Sequence, residues 1–300
     1  MCFIHKKYGD HCLAAICRSF PRTYRQINGV REAVLRNSCP EVARYLLTAR
    51  KIAIVALPAA EDIPDSRTEE KAFPYDVIAI EQRFIEVLQT EELMIEQRLI
   101  TLLYKSGRLE KVLAGKEYDR LPGILSSEEG SGFIPAGVGH LIQIRVLEEV
   151  VKWLLGKLDI LCQDFLRQAV IGLHALQNNN NLGRCRPADL LCQPYRIHIE
   201  NYLVSDLYNG FYHRRQDRYV PMILGLIVKY AMIRTILWGM ELHSGRVDSV
   251  ETGRLFFSLC RVTAHGYGFA VPLGAVLEKY RLFELTHVAA FLGLLEPVRK

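Results

Sequence analysis

The chain lacks several signatures that would settle its class at once. No Cys-x-x-Cys pair occurs among its eight cysteines, which excludes paired zinc knuckles. No Gly-x-Gly-x-x-Gly stretch follows a strand-like run, so no Rossmann-type dinucleotide site is visible. No internal repeat marks a solenoid. The first 20 residues contain Lys6, Lys7, Asp10, His11 and Arg18 but no apolar core segment. A secretory leader is therefore not expected, and the expected compartment is the cytoplasm, where thiols stay reduced. Strand-like alternation is scarce. The only candidate is the short apolar run Ile52 to Leu57, which reads equally well as a strand or as a buried helical turn. One apolar stretch, Val220–Met240, is long enough for a membrane span. Lys229 and Arg234 stand in its middle, and a cation there is costly in lipid. A buried core helix is the expectation, without a membrane partner.

What the chain does have is enough apolar residue for one large domain or two of ordinary size. Of its 300 residues, 50% are hydrophobic and 24% are charged, a balance typical of folded rather than disordered chains. The dominant pattern is helical. Val77, Ile80, Phe84, Val87, Leu88, Met94, Ile95, Leu99, Leu102 and Leu103 recur at three- and four-residue steps, with Glu81, Glu86, Glu92, Glu96 and Gln97 on the other face. This predicts a helix over 76–104, with Asp76 as a start signal and Gly107 as a stop. The same periodicity predicts helices in 141–176, 197–212, 219–243, 249–265, 272–280 and 284–295, and shorter ones at 9–18 and 40–50. Ser38 is the candidate cap of the last, with Pro40 in its first turn. Residues 58–74, 115–140 and 177–196 read as long loops. The expected class is all-α, with residues 1–57 a cysteine-rich, basic region and 75–300 a helical domain.

Charge and cysteine are concentrated at the N-terminus. Residues 1–51 hold ten Lys/Arg against three acids, or +7, while the whole chain carries +5. Cys2, Cys12, Cys17 and Cys39 fall in the same region, and the other four cysteines are spread from Cys162 to Cys260. Basic surroundings lower thiol pKa and favour a thiolate-bound metal, with His5 as a spare ligand. They also attract anionic partners, nucleic acid included, although a solvated basic face is the plainer reading. Weaker signals are Gly137-Val138-Gly139-His140, whose amides could meet an anion, and the pair Cys185 and Cys192.

Three strings carry a resemblance. Cys2-Phe-Ile-His-Lys-Lys-Tyr-Gly9 is followed by Leu13-Ala-Ala-Ile-Cys17-Arg-Ser-Phe-Pro-Arg22 and by Ser38-Cys39-Pro-Glu-Val-Ala-Arg44. Together they resemble the flagellin lysine-N-methylase family. Farther on, Glu200-Asn-Tyr-Leu-Val-Ser-Asp-Leu-Tyr208 and the helix carrying Lys229-Tyr230-Ala231 and Arg234 resemble that family's C-terminal region. The resemblance implies methyl transfer from S-adenosylmethionine to lysine side chains of flagellin. It also implies an iron–sulfur cluster, [4Fe-4S], at the N-terminus. Cys2, Cys17 and Cys39 match family cysteines. Cys12 falls where the family has none, as a bystander or a substitute ligand. The family carries further cysteines upstream of the position of Cys2, so an N-terminally truncated member is expected.

Methyl transfer to an amine requires a neutral lysine and an aligned sulfonium. Glu200 and Tyr202 are the candidate catalytic residues, with Asp206 beside them. Glu200 and Asp206, six residues apart, need not share a face. The residues mark no donor pocket. The rival readings are a non-enzymatic, metal-chelating basic module, an inactive methylase fragment, and a helical scaffold with buried structural cysteines. Nucleic acid is not the expected partner.

Overall fold

Glycine and apolar periodicity shape the centre of the molecule. The computed structural model describes residues 3–14, 20–54, 70–128, 132–135, 139–156, 163–179, 195–213, 218–265 and 270–295. Among these are twelve α-helices: α1 (Phe3–Tyr8), α2 (Pro40–Thr48), α3 (Val77–Leu88), α4 (Ile95–Ala114), α5 (Leu121–Ser126), α6 (His140–Leu155), α7 (Gln163–Gln177), α8 (Tyr195–His213), α9 (Tyr219–Ser244), α10 (Ser249–His265), α11 (Ala270–Lys279) and α12 (Leu285–Leu292). The expected helical class holds.

Helix α9 is the axle. Its 26 residues are apolar on every side, and it packs against α4, α6, α7, α8 and α10. By length and composition it could cross a membrane, but 72% of its most apolar window is buried within the fold. Pro221 sits in its first turn, and Gly245 ends it at φ +77° with its N–H bonded to the Glu241 carbonyl at 2.8 Å. The crossing of α7 and α9 is made by glycine. A Cβ on Gly239 would lie 2.2 Å from the Gly172 carbonyl oxygen, so the two backbones touch. The fold is closed by α12, which lies against α4 and α6.

The expected helix over 76–104 is two helices. Asp76 starts α3 as anticipated, accepting from the Ala79 amide at 3.0 Å. The chain leaves helix after Leu88 and resumes at Ile95. There the Gln97 side chain accepts from the Met94 amide at 3.0 Å, which secures the new start. Gly107 stops nothing, and α4 runs on to Ala114. The apolar stripe is continuous across the break because both helices face one core. Two residues assigned to the solvent side, Glu81 and Glu96, are instead held by cations from other elements.

The N-terminal region departs further. Of the stretch 9–18, the described residues 9–14 hold a 3₁₀ turn at Asp10–Cys12 after α1 ends at Tyr8, and residues 15–18 lie outside the described residues. A β-hairpin follows, β1 (Arg22–Ile27) and β2 (Val30–Leu35), antiparallel with Ile27 opposite Val30. Asn28 and Gly29 turn it at φ +46° and +77°, the left-handed pair a two-residue hairpin requires. A two-residue strand, β3 (Glu70–Lys71), pairs parallel to β1. Ile52 to Ile54 form no regular element, and Val55 to Leu57 lie outside the described residues. The 115–140 stretch, read as loop, contains α5 and the short strand β4 (Ile134–Pro135), which pairs with β5 (Leu294–Leu295).

Candidate functional site

Helix α8 organises the polar interior. Its residues project to three sides, and each side meets a different part of the chain.

One side holds Glu200. Its carboxylate accepts from Arg98 Nη1 at 2.5 Å, and both side chains are buried. Arg98 also donates to the Leu88 carbonyl at 2.9 Å and the Leu93 carbonyl at 2.8 Å. The guanidinium thus collects carbonyls released where α3 stops and braces the 89–94 turn. Glu200 neutralises a cation that burial would otherwise make very costly.

A second side clamps the N-terminal region. Asn201, wholly buried, donates to the carbonyls of Leu46 at 3.0 Å and Ala49 at 2.8 Å, and accepts from the Ile52 amide at 3.1 Å. These are the loose backbone groups at the end of α2. Farther along, the Tyr208 hydroxyl donates to Glu32 at 3.2 Å. Arg25 bonds both Glu32 and Glu81. Part of the basic charge of the N-terminal region is therefore spent inside the fold.

The third side is a seam lined by Tyr202, Ser205 and Asp206, at helical steps of three and four. Asp206 accepts from Lys229 Nζ of α9 at 2.8 Å. Burial alone would lower the Lys229 pKa, but the charge of Asp206 and its hydrogen bond outweigh burial and hold it raised. Tyr202 stacks on Phe256 of α10 with ring centroids 4.8 Å apart. One turn later on α10, the Cys260 thiol is pushed up to about 12 by burial and then by Asp206, against the pull of Lys229 and Arg36. The same order, burial first and then Asp206 and Cys260, raises the Tyr202 hydroxyl well above its ordinary value. Residues 36–38 close the seam from the N-terminal side, where Ser205 donates to Asn37 Oδ1 at 2.5 Å. Two buried polar atoms at this seam, Tyr202 Oη and Asn37 Nδ2, have no hydrogen-bond partner among the described residues.

Glu200 and Tyr202 are thus not brought together. Two residues apart on a helix, they face different sides. Tyr202 and Asp206, four apart, are joined. Lys229 of the resembling α9 string meets them. Its neighbours Tyr230 and Arg234 go elsewhere, both bonding Glu96 of α4, Tyr230 at 2.5 Å. Cys260, Arg36 and Asn37 carried no local signal. The polar residues Tyr202, Ser205, Asp206 and Asn209, spaced three and four apart on α8, are the legible hint.

Of the expected metal ligands, Cys39 is buried at the cap position of α2, one residue beyond the expected cap Ser38, and Cys12 is exposed. Both are free thiols. Cys2 and Cys17 lie outside the described residues, as do Cys185 and Cys192. Among the described residues no group of three or more His, Cys, Asp or Glu is placed to hold a metal ion. At Gly139 the backbone lies close against α12, where a Cβ would lie 2.3 Å from the Phe291 carbonyl oxygen, and Gly137 and Val138 lie outside the described residues.

A family model described as the FliB lysine N-methylase C-terminal domain matches residues 81–291. The comparison with curated proteins returned no match, and that with solved structures returned none either. The matched span runs from the first turns of α3 to the end of α12 and includes Glu200, Tyr202, Asp206, Lys229 and Cys260; the cysteine strings of the N-terminal region precede it. With more than two thirds of its length matched, the chain belongs to the FliB lysine N-methylase C-terminal domain family.

Proposed function

We propose that the chain transfers methyl groups from S-adenosylmethionine to lysine side chains of flagellin. The family match over residues 81–291 is the observation that carries this reading. The reaction forms an N–C bond between the neutral lysine amine and the donor methyl. The S–C bond breaks, S-adenosylhomocysteine leaves, and the amine then sheds a proton.

The seam supports the reading because its groups suit that chemistry. Asp206 is its carboxylate, bonded through one oxygen to Lys229. Tyr202 presents a hydroxyl against a low-polarity wall that includes Phe256. Such surroundings strengthen every charge interaction made within them. Of the two candidate catalytic residues the proposal keeps Tyr202, whose buried hydroxyl has no partner among the described residues, whereas Glu200 is engaged with Arg98.

The [4Fe-4S] proposal stays with Cys2, Cys17 and Cys39, with Cys12 as fourth ligand, and rests on the resemblance. A bound cluster would supply a redox-active or bracing centre next to α2. Transfer of a methyl group as a cation moves no net electron, so the reaction written above does not pass through it.

The test is incubation of the full chain with flagellin and methyl-labelled donor, read by intact-protein mass and peptide mapping. The expected outcome is mass increments of whole methyl groups confined to lysines. Unmodified flagellin, under conditions where the chain is folded and binds the donor, would overturn the substrate assignment.

A further inference from the structure

The outer face of α10 carries cations that the fold itself does not neutralise. Val250, Arg254, Phe257 and Arg261 recur at steps of four, three and four, so they line one side of the helix. Val250 is 60% exposed, Arg254 is exposed, and Phe257 and Arg261 are half-buried. The opposite side, with Leu255, Phe256, Leu259 and Val262, is buried in the core. The Arg261 guanidinium lies over the Phe257 ring, 5.2 Å from its centroid. Helix α2 lies alongside: a Cβ on Gly253 would stand 2.9 Å from Leu47 Cδ1, so the last turn of α2 flanks the first turns of α10. Next to that contact α2 exposes Tyr45, and the exposed Arg50 follows its end.

The carboxylates nearby are engaged elsewhere. Glu41 pairs with Arg44 at 2.8 Å and Glu91 with Lys51 at 3.4 Å. Asp248 accepts from the Glu251 amide at 2.7 Å, and Glu251 stands in the first turn of α10, where an acid suits the helix dipole. From Gly253 to His265 the helix carries no acid. Arg50, Arg254 and Arg261 are in no ion pair among the described residues. A guanidinium takes a carboxylate through two N–H groups at once. Arg254 and Arg261, seven residues apart, stand about 10 Å apart along the helix, with Phe257 between them. They match two carboxylates that flank an apolar side chain. The ammonium of a target lysine would be repelled by these arginines, so the face is not the lysine's own site. Val250, an aliphatic group that offers no ring for a base to stack on, favours a protein segment over a nucleic acid strand. We infer that the outer face of α10, with the end of α2 beside it, docks an acidic segment of the protein substrate; the inference rests on the methylase reading above.

Binding of purified flagellin to the immobilised full chain tests this without requiring turnover. Arg254→Gln combined with Arg261→Gln removes both charges and leaves the buried side of α10 unchanged. Lys111→Gln combined with Lys152→Gln removes two exposed charges from α4 and α6 and controls for net charge. Thermal melts check that both variants fold. The expected result is a loss of flagellin affinity of about tenfold or more for the arginine pair and less than about twofold for the lysine pair. Wild-type affinity is expected to fall as salt is raised. Equal weakening by both pairs would overturn the docking site, since net charge alone would then account for it. Unchanged binding by the arginine pair, or no binding of flagellin by the folded wild type, would overturn it too. So would a single-stranded oligonucleotide that the wild type binds more tightly than flagellin and the arginine pair releases, since the face would then belong to nucleic acid. Methyl transfer to flagellin is scored in parallel. Arginine-dependent binding without any methyl transfer would overturn the methylase reading and leave the docking surface standing; methyl transfer without arginine-dependent binding would do the reverse.

Discussion

Lys105 shows how one side chain is driven by its surroundings. It lies in α4, almost wholly buried, and donates to the carbonyls of Ile124 at 2.9 Å and Leu125 at 3.2 Å as well as to Ser127. It thereby caps α5 with an ammonium in place of a backbone partner. No carboxylate faces it among the described residues. Burial, with Arg83 and Arg108 nearby, pushes its pKa down to about 8. In the unfolded chain it titrates near about 10.4. Between those values the unfolded chain binds a proton that the folded chain does not, so the contribution of Lys105 to stability rises with pH across this window and is flat below it. Denaturant titrations of the wild type and Lys105→Met from about pH 7 to about pH 10.5 measure this directly. The wild-type-minus-variant difference is expected to climb by about 1–2 kcal/mol as pH rises through the window, the full shift being discounted for solvent screening. A flat difference would mean that the α5 carbonyls hold the amine charged throughout. Glu200 teaches the opposite lesson: its burial beside Arg98 is compensated charge for charge, so its value is structural.

At the scale of elements, close backbone contact decides where helices cross. A Cβ on Gly239 would meet backbone at 2.2 Å, and backbone cannot rotate away as a side chain can. Gly239→Ala must therefore separate α7 from α9, and the expected loss is about 1–3 kcal/mol by urea denaturation. Gly107 is the matched control. It sits in α4, where an added Cβ would meet nothing within 4 Å, and Gly107→Ala is expected to stabilise by about 0.5–1 kcal/mol through helix propensity. Opposite signs from the same chemical change would locate the α7–α9 contact in solution. Element identity is largely legible in the sequence. The helix over 249–265 agrees with the structure residue for residue, and 219–243 differs from α9 by one residue at its end, because each carries a sustained apolar pattern between clear start and stop signals. The hairpin was missed although Asn28-Gly29 between two alternating runs is a strong turn signal. The basic charges of that stretch point to outside partners when read alone, whereas Arg25 is folded inward onto Glu32 and Glu81.

For the whole molecule, the consequential fact is that α8 ties the N-terminal region to the helical body through Asn201. Three backbone groups depend on that one amide, the buried Leu46 carbonyl and the part-buried groups of Ala49 and Ile52. Asn201→Ala would leave the Leu46 carbonyl unsatisfied and the other two to water, at a cost of about 1–3 kcal/mol. Hydrogen exchange gives the sharper readout. Protection is expected to fall across residues 22–52 while α9, buried at the centre of the core, retains its own. Uniform loss across the chain would instead mean that the N-terminal region and the helices unfold as one unit.

The amino-acid order by itself determined the helical class, most helix positions and the family resemblance, because periodicity, caps and strings are local properties that survive without coordinates. It also singled out Glu200 and Tyr202, with Asp206 beside them, by their place in a resembling string. Only the tertiary structure separated Glu200 from Tyr202. It brought Arg36, Asn37, Lys229 and Cys260 to one seam and turned Glu81 and Glu96 from surface acids into internal ones. The reason is physical: a charge becomes a site through what it is buried against, and residues 36, 206, 229 and 260 acquire their common surroundings only when four elements distant in sequence pack together.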